Sequence, residues 1–289
     1  MRWLRAVALL PVALLPACGA RTGLRAAGDG AVDAPADVPG DAPGDAPDPC
    51  ATVGPTRPCA TVCGAGVETC VGGVFRGCTA PQPRPPGDTV ALQGTVRDFL
   101  DTHPDMERAL IGDDRGIVAP TLGPDRKPVY AAAGSTPTTE GRASFDQWFR
   151  EAPGVNRAAP LALTLRREGA GLTYALDDAA FFPVDGRLLG NQGRDHNYHF
   201  TLELHGEFMY RGGESFTFAG DDDLWAFIAG RLVIDLGGVH SRESATVSLD
   251  ALGLTRGALY PVDLFFAERH TTGSTIRVAT TIAGFDPCR

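Results

Sequence analysis

Alternation of apolar and polar residues with a period of two runs through the second half of the chain, and it limits the fold more than any other feature. In HNYHFTLELHGEFMY, residues 196–210, Phe200, Leu202 and Leu204 fall on one face while Thr201, Glu203 and His205 fall on the other. The pattern returns in Phe216 and Phe218, in Leu224, Ala226 and Ile228, in Leu232, Ile234 and Leu236, in Tyr260, Val262, Leu264 and Phe266, and in Ile276, Val278 and Thr280. Short alternating runs between Gly-rich turns predict an all-β domain over residues 88–289, an antiparallel sandwich or barrel. Ala229-Gly230 stands between two runs at hairpin spacing. Helix is confined to small pieces. Ser144 with Gln147 reads as a capping box that opens a turn carrying Phe145, Trp148 and Phe149 on one face, and Pro153 ends it. A second short turn is expected around Val96 to Leu100.

The N-terminal part has a different composition. Residues 1–17 carry Arg2 and Arg5 before an apolar run too short to span a bilayer, the pattern of a secretory signal. It ends in Leu15-Pro16-Ala17-Cys18-Gly19, similar to the bacterial lipobox, which predicts a lipidated Cys18 and an outer-membrane or surface lipoprotein of the bacterial envelope. Residues 18–49 are Ala, Gly, Asp and Pro with an approximate Asp-Ala-Pro repeat, too poor in apolar residues for a core and suited to an extended tether. Residues 50–80 then hold Cys50, Cys59, Cys63, Cys70 and Cys78, a module that must be stapled by disulfides. Of the seven cysteines, six remain once Cys18 carries lipid. Five in the module is odd, so one is expected to pair with Cys288, which requires the two ends of the large domain to lie close together; the connectivity stays open.

Asp221-Asp222-Asp223 places three carboxylates between two runs that belong in a buried sheet. Two carboxylates ~4 Å apart repel by roughly 4 kcal/mol at an effective dielectric near 20, and a hard cation with oxygen ligands reverses that sign. Calcium held by Asp221, Asp222 and Asp223 is one reading of this run; taken by itself the run reads first as a solvated acidic loop or a bracket for turn amides, and the calcium reading gains from the resemblance given below. Asp235, His240, Glu268, Arg269 and His270 are further candidates for ligand contact or for the layer around the ion, with the Gly237 and Gly238 carbonyls available to complete a shell. Glu268 and Arg269 read more readily as an internal ion pair that fixes the turn. His196 and His199 read as structural, because no thiol or HExxH partner accompanies them. The sequence lacks a nucleophile elbow, a phosphate loop and a dinucleotide fingerprint, so no enzyme activity is expected. A formal net charge of −9 argues against nucleic acid, and leaves the lipid anchor as the only expected contact with a membrane.

Five stretches together resemble the bacterial fibro-slime domain: GTVRDFLDTHPDME (94–107), GIVAPTLGPDRKPVY (116–130), FDQWFREAPGVN (145–156), residues 196–240 from HNYHF to GGVH, and PVDLFFAERHTTGS (261–274). The resemblance implies a β-sandwich related to the anthrax protective antigen, in a superfamily that includes sugar-binding adhesins of the flocculin type. By that resemblance Asp221 and Asp222 match a calcium-gripping pair joined by a cis peptide, with Asp223 where many relatives have Gly. The implied function is a lipid-anchored surface protein for calcium-dependent binding of an extracellular glycan, matrix polysaccharide or protein. The alternative is a structural envelope or matrix protein without an ion site. An exposed aromatic ring beside the aspartates, Trp225 or Tyr260, would favour the first; a buried Trp225 with no other ring nearby would favour the second.

Overall fold

The computed structural model describes residue 50, residues 54–109 and residues 111–289. The signal segment, Cys18 and the Pro-rich tether of the sequence analysis lie outside the described residues.

Three short strands come first: β1 (Thr56–Thr61), β2 (Gly64–Val71) and β3 (Val74–Arg76), paired antiparallel in that order. They enclose little apolar volume, and disulfides hold them instead. Cys50 joins Cys70, Cys59 joins Cys78, and Cys63 joins Cys288 across 225 positions of sequence. A crosslink over so long a loop removes much chain entropy from the unfolded state. Beyond them the chain forms β4 (Thr89–Phe99), β5 (Gly112–Asp113), α1 (Arg142–Phe145), β6 (Asn156–Arg167), β7 (Tyr174–Asp178), β8 (Phe200–Met209) and β9 (Ser215–Gly220). It continues through β10 (Asp223–Ile228), β11 (Arg231–Leu236), β12 (Gly238–Val239), β13 (Glu243–Ser248), a 3-10 turn (Leu249–Leu252), β14 (Leu259–Glu268) and β15 (Ile276–Thr280).

Ten strands build one antiparallel sheet in the order β11-β10-β14-β8-β4-β6-β7-β15-β9-β13. Its edge strands β11 and β13 approach each other, so the sheet curls into an almost closed, barrel-like sandwich. The all-β expectation is correct, and the alternation explains the interior. Leu202, Leu204, Leu224, Ala226, Ile228, Leu264 and Phe266 all point into the main core. The opposite face of β10 and β14 is buried as well. Trp225, Phe227, Phe265 and Ala267 pack beneath a second layer of Ile117, Val118, Tyr130, Phe145, Trp148 and Phe149. Each fully buried side chain of this size contributes roughly 1.5–3 kcal/mol or more. The β10–β11 hairpin turns on Ala229 and Gly230, both at positive φ (53° and 72°), as a type I′ turn requires.

Two local expectations are overturned. Val96 to Phe99 belong to β4 and are not helical, because Val96 is laddered between Ala159 and Leu202 and its side chain enters the core. Ser144 is not an N-cap: Gly141 occupies that place, and the Ser144 hydroxyl instead donates back to the Gly141 carbonyl (3.0 Å). Gln147 is likewise no capping partner, since its side-chain oxygen faces His103 Nε2 at 3.1 Å.

Candidate functional site

Asp221 and Asp222 form the bend between β9 and β10, and Asp223 opens β10. The chain reverses tightly here. A Cβ on Gly220 would stand 2.5 Å from the Thr275 carbonyl oxygen, so only glycine fits before the bend. Asp222 adopts φ 60°, a left-handed conformation that a short polar side chain tolerates, and no cis peptide occurs among the described residues.

The three carboxylates have separate tasks. Asp221 Oδ1 accepts the Thr275 amide at 2.5 Å. Asp222 Oδ2 accepts the amides of Arg269 (2.5 Å) and His270 (3.0 Å), bracketing the end of β14. Asp223 points the other way, into the protein. Its Oδ1 accepts the Gly238 amide (2.8 Å), and its Oδ2 takes Nε of Arg269 (2.5 Å) in an ion pair with neither partner exposed. Arg269 is satisfied on its remaining sides. Nη1 donates to the carbonyls of Thr138 (2.6 Å) and Asp105 (3.0 Å), and the guanidinium lies 4.6 Å from the Trp148 ring centre. Burial opposes its charge, but Asp223, then Asp222 and Asp105, raise its pKa above the ordinary value. Burial pushes the Asp223 carboxyl up while Arg269 draws it down. Since a guanidinium keeps its proton, the pair is ionic.

Asp221, Asp222 and Glu268 instead border a cleft of about 400 Å³, together with His240, His270 and Gly273. Glu268 is buried beside Asp222. Burial first, then the charges of Asp222 and Asp221, push its carboxyl well above the usual range, and it shares a hydrogen bond with Asp222. Asp222 itself is pushed up to about 6, by burial above all, against the pull of Arg269. The Ser274 hydroxyl lies against Glu268 and draws its pKa part of the way back down. Both ring nitrogens of His240 face carbonyls, Ser241 at 2.9 Å and Leu236 at 3.2 Å. Burial works against the imidazolium, yet these carbonyls raise its pKa overall. Among the described residues no three His, Cys, Asp or Glu side chains converge as a ready metal cage.

The remaining candidates stand outside this cleft. Asp235 Oδ1 accepts Nε1 of the fully buried Trp225 (2.9 Å), and its Oδ2 accepts the Gly116 amide (2.8 Å). The Gly237 carbonyl is taken by the Asp114 amide at 2.7 Å. Tyr260 accepts the Thr255 amide at 2.9 Å and does not border the cleft, which has no Phe, Tyr or Trp in its wall. His196 stacks on Phe182 (3.9 Å between centres) and His199 faces Glu107. Sequence reasoning missed Asp105, Glu107, Thr138 and Ser274. Glu107 Oε1 accepts the Thr271 amide (3.1 Å) and so fixes the loop after Arg269. Asp105 and Glu107 fall inside one of the five stretches of the resemblance, but their spacing of two carries no hint of a partner some 160 residues away.

Comparison with known proteins covers the same region. Curated relatives from Dictyostelium discoideum include protein psiD, 41% identical over 70% of this chain, and protein psiQ, 40% identical over 61%. The chain spans 44% of psiD's length and 20% of psiQ's. Among solved structures, the PA14 domain of the MpAFP antifreeze protein aligns with 14% identity over 70% of this chain and 87% of that one, at a TM-score of 0.32. The PA14 sugar-binding domain from an RTX adhesin aligns with 11% identity over 66% and 89%, also at 0.32. Residues 185–287 match the family model described as the PA14 domain, and this segment holds Asp221, Asp222, Glu268 and the rest of the cleft wall except Ile111.

Proposed function

We propose that this chain is a non-enzymatic binding module of the fibro-slime branch of PA14 domains, displayed at a cell surface, whose cleft over Asp221, Asp222 and Glu268 takes an extracellular glycan with the help of calcium. One observation carries the reading: two carboxyl groups, Asp222 and Glu268, meet at a cleft wall, each held above its usual range by burial. Isolated like charges in that position are unfavourable unless a proton or a cation joins them. The donors are all oxygen, which suits a hard ion such as calcium. Asp221, Asp222 and Glu268 would hold it, and bound calcium would offer open coordination positions to sugar hydroxyls. Three disulfides fit an oxidising, extracellular setting. The bacterial outer-membrane location and the anchor at Cys18 are part of the proposal.

The test is a calorimetric calcium titration of the oxidised full-length protein beside an Asp221→Asn/Asp222→Asn variant, followed by a glycan array with and without calcium. Saturable binding that the variant loses, and glycan retention only with calcium, are expected. A second reading is favoured by the missing aromatic ring: a structural envelope or matrix protein in which the acidic pair only orders the turn. Absence of calcium binding by the folded wild type would decide for that reading.

A further inference from the structure

A second cleft, of about 450 Å³, lies between the proline-rich connector at residues 81–87, the end of β8 and the C-terminal segment. Its size falls within the range of small-molecule sites. Arg84, Arg211 and Arg289 border it, and Asp286 is the one carboxylate side chain in its wall. Asp286 is already engaged by the Glu207 amide (3.1 Å) and reaches Arg289 only at 3.9 Å. The guanidinium groups of Arg84 and Arg211 have no hydrogen-bond or ion-pair partner among the described residues. The cleft is an open trough, and a neighbouring one of about 340 Å³ shares Gln93, Asp286 and Arg289 with it and adds Arg126, His205 and Glu207.

Unpaired arginines gathered in one place are unexpected on a chain of net charge −9. Their setting is also rigid. Arg84 stands between Pro83 and Pro85, its amide donates to the Pro287 carbonyl (2.9 Å), and the adjoining Cys288 is tied to Cys63. Fixed φ angles and a crosslink hold the Arg84 backbone in position before any ligand arrives, so the chain itself needs no ordering on binding.

We infer that this trough is a second, calcium-independent site for a carboxylate-bearing sugar chain of the uronate class. Guanidinium groups match carboxylates through paired N–H donors. Between the arginines the wall offers Thr89 and Gln93 to hydroxyls and Pro86, Val90 and Phe285 to the apolar face of a sugar ring. Nucleic acid is a poorer fit, since a phosphate backbone needs a longer run of cations and meets the acidic remainder of the chain. At physiological ionic strength charges beyond ~8 Å are screened, so a short acidic saccharide senses mainly the arginines of the trough.

The experiment is calorimetric titration of the oxidised full-length protein with a short oligogalacturonate in EDTA, which removes calcium from both the protein and the sugar and so separates this test from that of the acidic cleft. Expected are saturable binding that weakens as sodium chloride rises, and none with a neutral maltooligosaccharide of equal length. Arg84→Ala/Arg211→Ala is expected to weaken binding about tenfold or more, while Arg84→Lys keeps part of it. No binding at low salt, binding insensitive to salt, or an unchanged affinity in a double variant with a wild-type melting curve would overturn the inference. Equal competition by inorganic phosphate or by a DNA oligonucleotide would overturn it as well, by showing a site for anions in general.

Discussion

Asp222 and Asp223 are neighbours in sequence, as are Glu268 and Arg269, yet the two pairs they form differ in every chemical respect. Burial does not separate them: relative exposures are 3% and 0% for the aspartates, 1% for Glu268 and 0% for Arg269. The difference is the sign of the partner and the side of the sheet. Asp223 and Arg269 turn inward beneath the loops carrying Asp105, Thr138 and Trp148, where opposite charges and two carbonyls complete one another. Asp222 and Glu268 turn toward the cleft, where two buried acids meet with no cation between them among the described residues. The inward pair is finished by the fold. The outward pair is finished only by a proton or a ligand, and the proposed function rests on that incompleteness.

The largest effect should come from breaking the inward pair. Arg269→Met leaves Asp223 charged and fully buried, with the Asp105 and Thr138 carbonyls stripped of a donor. Removing one partner of such a pair costs about 3–5 kcal/mol. The expected result in urea unfolding is a lower midpoint with an unchanged slope. Arg269→Lys should recover only part, because one ammonium cannot serve Asp223 and two carbonyls in a planar fork. A loss below about 1 kcal/mol for Arg269→Met, within the range of exposed ion pairs, would show that the pair is not the closed unit described above.

How much of this was legible in the sequence follows from the range of each signal. Period-two alternation is local, so Leu202, Leu204, Leu264 and Phe266 could be placed on a core face from their own neighbours. The same locality misread Val96 to Phe99, where β4 looks like a helical turn until Ala159 and Leu202 are paired on either side of it. The aspartate run stood out in the sequence, but not the different partners of its three members. Asp223 belongs to Arg269 because they are 46 residues apart in sequence and adjacent in space. Nothing near either residue encodes that adjacency. Likewise the burial of Trp225 depends on the layer formed by Phe145, Trp148 and Phe149, since β10 is apolar on both faces and its sequence alone does not say what covers the second one.

A smaller effect, opposite in sign, is expected for the outward pair. Glu268→Gln keeps the side chain's size and its ability to donate to Asp222 while removing the charge that needs a proton. Glu268 has a raised pKa in the folded protein, so its contribution to stability is complete below the unfolded value near 4.5 and is lost as pH rises through the folded value. At pH above the unfolded value and without calcium, the variant should be about 1–2 kcal/mol more stable than wild type, because it no longer has to hold a proton or bury a charge there. With calcium present the advantage should disappear, because the wild type then gains the cation and the variant has lost a ligand. An equal gain with and without calcium, read from melting curves at neutral pH, would detach Glu268 from the ion.

The smallest expected effect tests whether a third buried carboxylate, one with neutral partners, falls between the two. Asp98 is fully buried in β4 and accepts Asn197 Nδ2 (2.9 Å) and the Leu189 amide (2.7 Å). Burial raises its pKa to about 6, and these two hydrogen bonds only partly offset that. The folded value thus lies above the ordinary 3.8, so the protein binds this proton more readily than the unfolded chain does. Its contribution to stability is present below about pH 4 and is lost as pH rises through about 6. In Asp98→Asn that downward slope between pH 4 and 6 should flatten, with little change at pH 4, where the wild-type side chain is already neutral. Urea midpoints across this window measure it. A wild-type slope that survives the substitution would mean that Asn197 and Leu189 satisfy the carboxylate fully, and that neutral donors can close a buried acid in this fold as completely as Arg269 closes Asp223.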